Sequence, residues 1–430
     1  MIKSKSMLVA GLLMAQIAPG LQFNLVALPV VELTLPAADS TAFMPHPHFR
    51  WLPEAAADRY EIQIATDPAF QTLQDSDSIP VPRYIPLDAL PAGQDYWWRV
   101  RVKLRGGRTG DWSSVRKLTV NSPVNQYQIF TNDSLSVITN TIALAASNTP
   151  ARLVFATGTY RLALPNDAYL FKFNSKTNLI IDGGGSLVIM ENNNSGFSSM
   201  TGCRDMLLRN FAVDYMTTNG IPVTHTAGRI VSTQSSDASI VFQVVDGYLP
   251  PDDPRIRDAT LRRWGCLMDT NTPGRLKNGV SSWFDFQTNV TSLGSGQYRL
   301  YLTASHAGKL SEFNAGDTLV KSAAWGEYVM EADFCTNITY SGVTSYAGGA
   351  NHFSGSWNDA IHFLRCASRI KAGRLVSNPC GGYGGGTNYR TGFWMEECLT
   401  EGLFDDSFNC SSVPVYIYEK LAAIMRLTWW

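Results

Sequence analysis

At 430 residues the chain is too long for one ordinary domain, so two or three units are expected. An apolar fraction of 45% supports a real core, while a charged fraction of 17% and a net charge of -1 argue against nucleic acid or an anionic membrane as partner. Eleven Trp and seventeen Tyr suit β-rich folds and sugar-binding surfaces, although core packing accounts for most such residues.

The N-terminus reads MIKSKSMLVAGLLMAQIAPG. Lys3 and Lys5 precede an apolar run from Met7 to Ala18 that is short for a bilayer span and has the shape of a secretory signal peptide. Residues 1–27 are assigned to it, with cleavage between Ala18 and Ala27. The mature protein is therefore expected to be secreted, periplasmic or at the cell surface, with no membrane contact after cleavage. Seven cysteines, widely spread and without a CxxC pair, suggest neither a zinc site nor a dense disulfide framework. No metal or cofactor is expected.

Residues 30–121 show period-two alternation between turns. Tyr60, Ile62 and Ile64 share one face, and Glu61 and Gln63 the other. Tyr96, Trp98, Val100 and Val102 oppose Arg99 and Arg101 in the same way. This pattern predicts a β-sandwich. FRWLP, YEIQIATDPAF, LPAGQDYWWRVRV and GDWSSVRKLTV resemble bacterial fibronectin type III modules, which implies a spacer or adaptor with no chemistry of its own.

After the linker NSPVNQYQ, short apolar strands recur between turns: TNLIIDGGGSLVIM, CRDMLLRNFAVDY, CTNITYSGVTSY, CASRIKAGRLVS, CLTEGLFDDSFN. Cys335, Cys366 and Cys398 follow one another at a near-constant period, as do Ile338 and Ile370, and Val343 and Leu375. The repeat predicts a right-handed parallel β-helix over 125–215 and 326–430, with Cys203, Cys335, Cys366 and Cys398 stacked in its bore as packing residues. Asn178, Asn210 and Asn337 are expected at corners, because Asn tolerates left-handed backbone. Between 216 and 325 the pattern becomes antiparallel, which predicts an inserted β-barrel-like subdomain. The fold class is thus all-β: a fibronectin type III-like sandwich, then a β-helix with a barrel insertion. The ending IYEKLAAIMRLTWW reads either as a plug over the last rung or as the point where a fragment stops; the second is favoured.

Function on such a coil lies on an outer groove. Glycoside hydrolysis needs one carboxylic acid to protonate the leaving oxygen and a second carboxylate to activate water or attack. Asp405 and Asp406 are the best local signal, with Glu396, Glu397 and Asp359 as further catalytic candidates. In GGYGGGTNYRTGFW, Gly381 to Gly386 read as an excursion that presents Tyr383, Tyr389, Arg390 and Trp394 to substrate. His362, three residues after Asp359, reads as a base or as a satisfied edge residue. Lys371 and Arg374 are the bases a polysaccharide lyase would want.

WMEECLTEGLFDDSFN, with the insertion before it, is similar to the β-helical α-1,3-galactosidases of the pectin-lyase-like fold. The resemblance implies a role for Asp405, Asp406 and Asn409 in an Asp-Asp-x-x-Asn motif. A further Asp of that family is missing, with Cys380 or Gly381 in its place. The reading is a secreted glycoside hydrolase acting on a polysaccharide or glycan. The rivals are a non-catalytic glycan-binding or adhesion β-helix and a polysaccharide lyase.

Overall fold

A computed structural model describes residues 28–257, 263–323, 326–377, 380–411, 415–421 and 424–429. The leader assignment, 1–27, lies outside the described residues. Two compact units emerge.

The first unit comprises residues 28–35, 49–84 and 97–116. Leu33–Leu35, Phe49–Trp51 and Arg83–Tyr84 form one antiparallel sheet. Ala57–Ala65 pairs antiparallel with Leu73–Ile79 on one side and with residues 97–104 on the other. Tyr60, Ile62, Ile64, Trp98, Val100 and Val102 are buried as alternation requires, and Phe49 meets Trp98 edge to face at 4.9 Å. On the opposite face Arg101 and Lys103 pair with Glu61.

The second unit holds residues 36–48, 85–96 and everything from 117 onward. Its main body is a right-handed parallel β-helix of three sheets. The first sheet runs through Asn125–Ile129, Ala151–Phe155, residues 177–182 and 204–209, Thr336–Ser341, Asp359–Leu364 and Trp394–Glu396. The second runs through Thr159–Leu162, residues 186–190 and 211–215, Thr344–Ser345, Ala367–Ser368 and Leu399–Thr400. The third contains Ala168–Asn174, Ser195–Thr201, Met330–Asp333, Phe353–Ser356, Tyr383–Thr387 and Phe408–Ser411. Inward side chains, among them Phe155, Phe171, Phe197, Phe211, Tyr340, Phe353 and Phe363, form one continuous core.

The corners have a common cause. Asn178, Asp205, Asn337 and Ala360 are in register and all have left-handed φ. So are Asn210, Gly342, Arg365 and Glu397 at the bend from the first sheet to the second. One left-handed residue per rung turns the chain without a loop.

The cysteine period is corrected by the register. Cys203 and Cys335 do stack, the Cys203 N–H lying 3.3 Å from Cys335 Sγ. The next rung places Asn358 there, 23 positions on, its Oδ1 accepting the Cys335 N–H at 2.8 Å. Cys366 and Cys398 stack with each other at a different corner, above Val343. Ile338 pairs with Ile361 rather than Ile370. Rungs differ in length because their turns differ, so equal spacing along the chain does not imply equal position in the coil.

Two further features differ from the expectation. A helix, Leu135–Ser147, buries Ile138, Ile142, Ala145 and Ala146 against the first rungs, with Ser134 accepting from the Val137 N–H as N-cap. The tail forms an antiparallel hairpin, Val415–Leu421 with Ile424–Trp429. Between Tyr215 and Met330 lies a closed six-stranded barrel in the order His225–Gln234, Ser239–Val244, Gln297–Leu302, Phe284–Gly294, Arg263–Met268, Thr318–Ser322. It has its own core, including Phe242, Phe284, Phe286 and Leu300.

Candidate active site

The outer face of the third sheet gathers carboxylates. On Met330–Asp333, Met330 and Ala332 are buried and Glu331 and Asp333 point outward. Two residues along one strand, their Cα atoms lie about 6.6 Å apart. Glu331 accepts from Ser199 Oγ at 3.2 Å. Asp333 Oδ1 accepts the Ser356 N–H of the next strand at 2.7 Å. Glu327, just before the strand, accepts from Tyr169 Oη at 2.6 Å. Burial first, and then the charge of Asp333, raises the Glu331 carboxyl above its ordinary range. Burial also raises Asp333, against the pull of the Ser356 N–H. Ser354 and Ser356 continue the face on the next strand. After them come the glycines 384–386, which lie in a strand, Tyr383–Thr387, whose register shifts against both neighbours, and not in an excursion.

At the far end of this sheet, Asp405 and Asp406 precede the strand Phe408–Ser411 and are exposed. Asp405 Oδ1 accepts the Asp406 N–H at 2.9 Å, and Asn409 Nδ2 donates to Asp406 Oδ2 at 2.9 Å. The Asp406 carbonyl accepts the Gly382 N–H at 2.9 Å, which sets the pair beside Gly381. A Cβ at Gly382 would come within 2.7 Å of the Ser407 carbonyl oxygen, so this approach requires glycine. Asp405 and Phe404 line a cavity of about 260 Å³ with Trp264 and Trp283 of the barrel. Three strand spacings, about 14 Å, separate the Glu331 strand from Asn409.

The other predicted residues scatter. Trp394 and Glu396 lie on the outer face of the first sheet, opposite to inward Met395, and Trp394 Nε1 donates to Glu396 Oε2 at 3.0 Å. Glu397 is a left-handed corner residue paired with Arg365 at 2.8 Å. Asp359 starts a first-sheet strand, half-buried, one residue before the left-handed Ala360. None of these shares a face with Asp405 and Asp406, because alternation and the corners aim them elsewhere. Tyr383 is in the bore, edge to face with Phe363 at 4.8 Å. Tyr389 packs on Phe393 and donates to the Gly355 carbonyl. Arg390 is exposed, its N–H bonded to the Asn358 carbonyl. His362 is fully buried, bonded to Thr339 Oγ1 and edge to face with His48 at 5.1 Å, so it reaches no groove. Lys371 and Arg374 are both held by the buried Asp214.

Glu331, Asp333, Glu327, Tyr169, Trp264 and Trp283 were not singled out from sequence. The alternation in YVMEADF carried the signal for the first two: M-E-A-D on a strand puts both acids on one side.

Residues 41–121 match the family described as the Rha78A-like, N-terminal immunoglobulin domain. Immunoglobulin and fibronectin type III modules share the sandwich architecture, so the sandwich expected from sequence stands. No curated protein matches the sequence. Among solved structures the chain is similar to the Family 28 exopolygalacturonase of Yersinia enterocolitica, at 12% identity over 90% of this chain and 76% of that one, with a TM-score of 0.35. It is also similar to pectate lyase PelI from Erwinia chrysanthemi, at 10% identity over 89% and 100%, with a TM-score of 0.21. The α-L-rhamnosidase of Streptomyces avermitilis, complexed with L-rhamnose, matches at 12% identity over 68% of this chain and 22% of that one, with a TM-score of 0.17.

Proposed function

We propose that the chain is an extracytoplasmic carbohydrate-active enzyme, a glycoside hydrolase working on the outer face of the third sheet. One observation carries this reading: Glu331 and Asp333 project from one strand onto one face, both with raised carboxyl pKa. Burial first, and then the Asp333 charge, favours the protonated form of Glu331. Glu331 is then the general acid for the leaving oxygen. Asp333, oriented by the Ser356 N–H, is the carboxylate that takes a proton from water or attacks the anomeric carbon. A Cα spacing of about 6.6 Å on one face is compatible with the carboxyl separations that glycosidases use. A glycan lying along the coil axis would cross Ser354 and Ser356 and the glycine strand toward Asp405 and its aromatic pocket. The Asp405-Asp406-x-x-Asn409 motif makes α-galactosides the first substrates to try.

A non-catalytic glycan binder is the second reading, favoured by Asp405 and Asp406 being engaged in their own loop. A lyase has less support, since Lys371 and Arg374 are committed to Asp214. The test is reducing-end release across a panel of oligosaccharides, α-galactosides first. Glu331→Gln and Asp333→Asn should each lower the rate roughly 10²–10⁴-fold. Full activity in both variants, with loss in Asp405→Asn or Asp406→Asn, would move the chemistry to the other end of the sheet. Binding without turnover by the natural sequence would favour the second reading.

A further inference from the structure

The corner from the third sheet to the first is formed by Ser175, Gly202, Phe334, Trp357 and Asn388, which follow one another in register. All five have left-handed φ, from 52° to 62°. Left-handed backbone brings Cβ against the next carbonyl oxygen, which glycine avoids and short polar side chains can ease by bonding the local backbone, Asn better than Ser. Three rungs use such residues. The two that follow Asp333 and Ser356 use large aromatics instead.

Burial does not explain the choice. Phe334 is 62% exposed and Trp357 49% exposed. Their rings are parallel within 1°, with centroids 6.3 Å apart. A corner that needs left-handed backbone gains no core from these rings; Arg365 and Glu397 carry the same backbone at another bend, so it is the exposed, stacked pair of rings that sets this corner apart. The rings also sit immediately beside the hydroxyl and carboxylate face of Asp333 and Ser356, so an aromatic rim borders a polar floor. A pyranose offers the complementary pair of surfaces, an apolar ring face and an edge of hydroxyls.

We propose that Phe334 and Trp357 form a sugar-stacking platform on the rim of the third-sheet face, binding successive rings of a glycan chain. The proposal rests on the glycan-groove reading of that face, and its test separates the two. Phe334→Asn and Trp357→Asn introduce the residue already used at 388 in the same corner. Binding is measured by calorimetry with galacto-, gluco-, manno-, xylo- and rhamno-tetra- to hexasaccharides, in a Glu331→Gln background that prevents turnover. Thermal melting is recorded alongside, with hydrolysis of aryl monoglycosides by the enzyme carrying Glu331. Each substitution should leave the melting temperature unchanged or higher and weaken oligosaccharide binding about tenfold. A lower melting temperature with unchanged affinity would make the rings structural and overturn the platform. Absence of binding to every oligosaccharide would overturn it as well. Binding that depends on both rings, without hydrolysis by the natural sequence, would keep the platform and reject the hydrolase.

Discussion

Asp214→Asn should be among the most destabilising single changes in the coil. Asp214 is fully buried at the end of the strand Arg204–Tyr215, where the chain leaves for the barrel. It accepts from Lys371 Nζ at 2.6 Å and from both terminal nitrogens of Arg374, at 2.6 and 3.0 Å. These partners lie 157 and 160 positions away, on the excursion that follows Ala367–Ser368. Arg374 is itself 6% exposed, whereas Lys371 keeps 32% of its side chain in water. Asparagine keeps the shape and one acceptor but leaves the buried guanidinium unpaired. Removing one partner of a buried pair costs about 3–5 kcal/mol. At the lower end of the usual conversion, about 2 °C per kcal/mol, melting should fall by roughly 6–10 °C. Calorimetry checks this, and a double-mutant cycle with Arg374→Met isolates the pair. The double variant should lose less than the sum of the single losses, by more than about 1 kcal/mol. A loss for Asp214→Asn below about 1 kcal/mol, or strict additivity, would refute the claim that this ion cluster fastens the excursion to the coil.

Asp182 accepts from Arg152, Arg209, Asn210 and the Gly184 N–H. Burial opposes its ionisation, yet Asn210, Arg209 and the Gly184 N–H outweigh it and bring its pKa down to about 2. A depressed carboxyl stabilises the fold above the ordinary range and loses that contribution as pH falls from about 4 to about 2, so Asp182→Asn should cost about 2 kcal/mol at neutral pH and little near pH 2, by urea denaturation. Glu331 has the opposite sign: its raised carboxyl favours the fold when protonated and opposes it as pH rises past the ordinary range, so Glu331→Gln should be more stable than the natural sequence at neutral pH, with the difference gone in acid. Asn358→Ala should cost roughly 1–3 kcal/mol, measured by chemical denaturation, because it strands the Cys335 N–H and the Ala332 carbonyl inside the coil.

Much of the fold was legible because its physics is local. Alternation in YEIQIA and YWWRVRV places buried and exposed faces one residue at a time, and Asn178, Asn210 and Asn337 occupy the left-handed corners that Asn is suited to. The cysteine spacing misled for a physical reason. A coil constrains the pairing of strands and leaves turn length free, so Cys335 and Cys366 can be 31 residues apart and sit at different corners. The helix Leu135–Ser147 was missed although Ser134 and the 138, 142, 145, 146 spacing mark it. The site was less legible still. Acidic residues close in sequence, such as Glu396, Glu397, Asp405 and Asp406, are divided among faces by alternation and corners, while two acids separated by one alanine end up side by side.

The turns bear on why the third sheet suits the proposed chemistry. From Asn210 onward the bend from the first sheet to the second takes one left-handed residue per rung, as at Gly342, Arg365 and Glu397, and adds no loop. The turn from the second sheet to the third is unconstrained. It holds the whole barrel on one rung, residues 346–352 on the next, 369–382 on the one after and 401–407 on the last. Long connections can carry binding groups at little cost to the scaffold, since loop closure grows only slowly with length. They bring Trp264, Trp283, Phe404 and Asp405 to one border of the third sheet. Phe334 and Trp357 mark the opposite border, at a corner where strain permits side chains but not loops. Between the two borders the sheet supplies Glu331, Asp333, Ser354 and Ser356 at the fixed spacing of rigid strands. On the proposed reading, a chain substrate would meet loop-borne borders and a rigid floor, the division of labour that specificity and acid–base chemistry require of a scaffold.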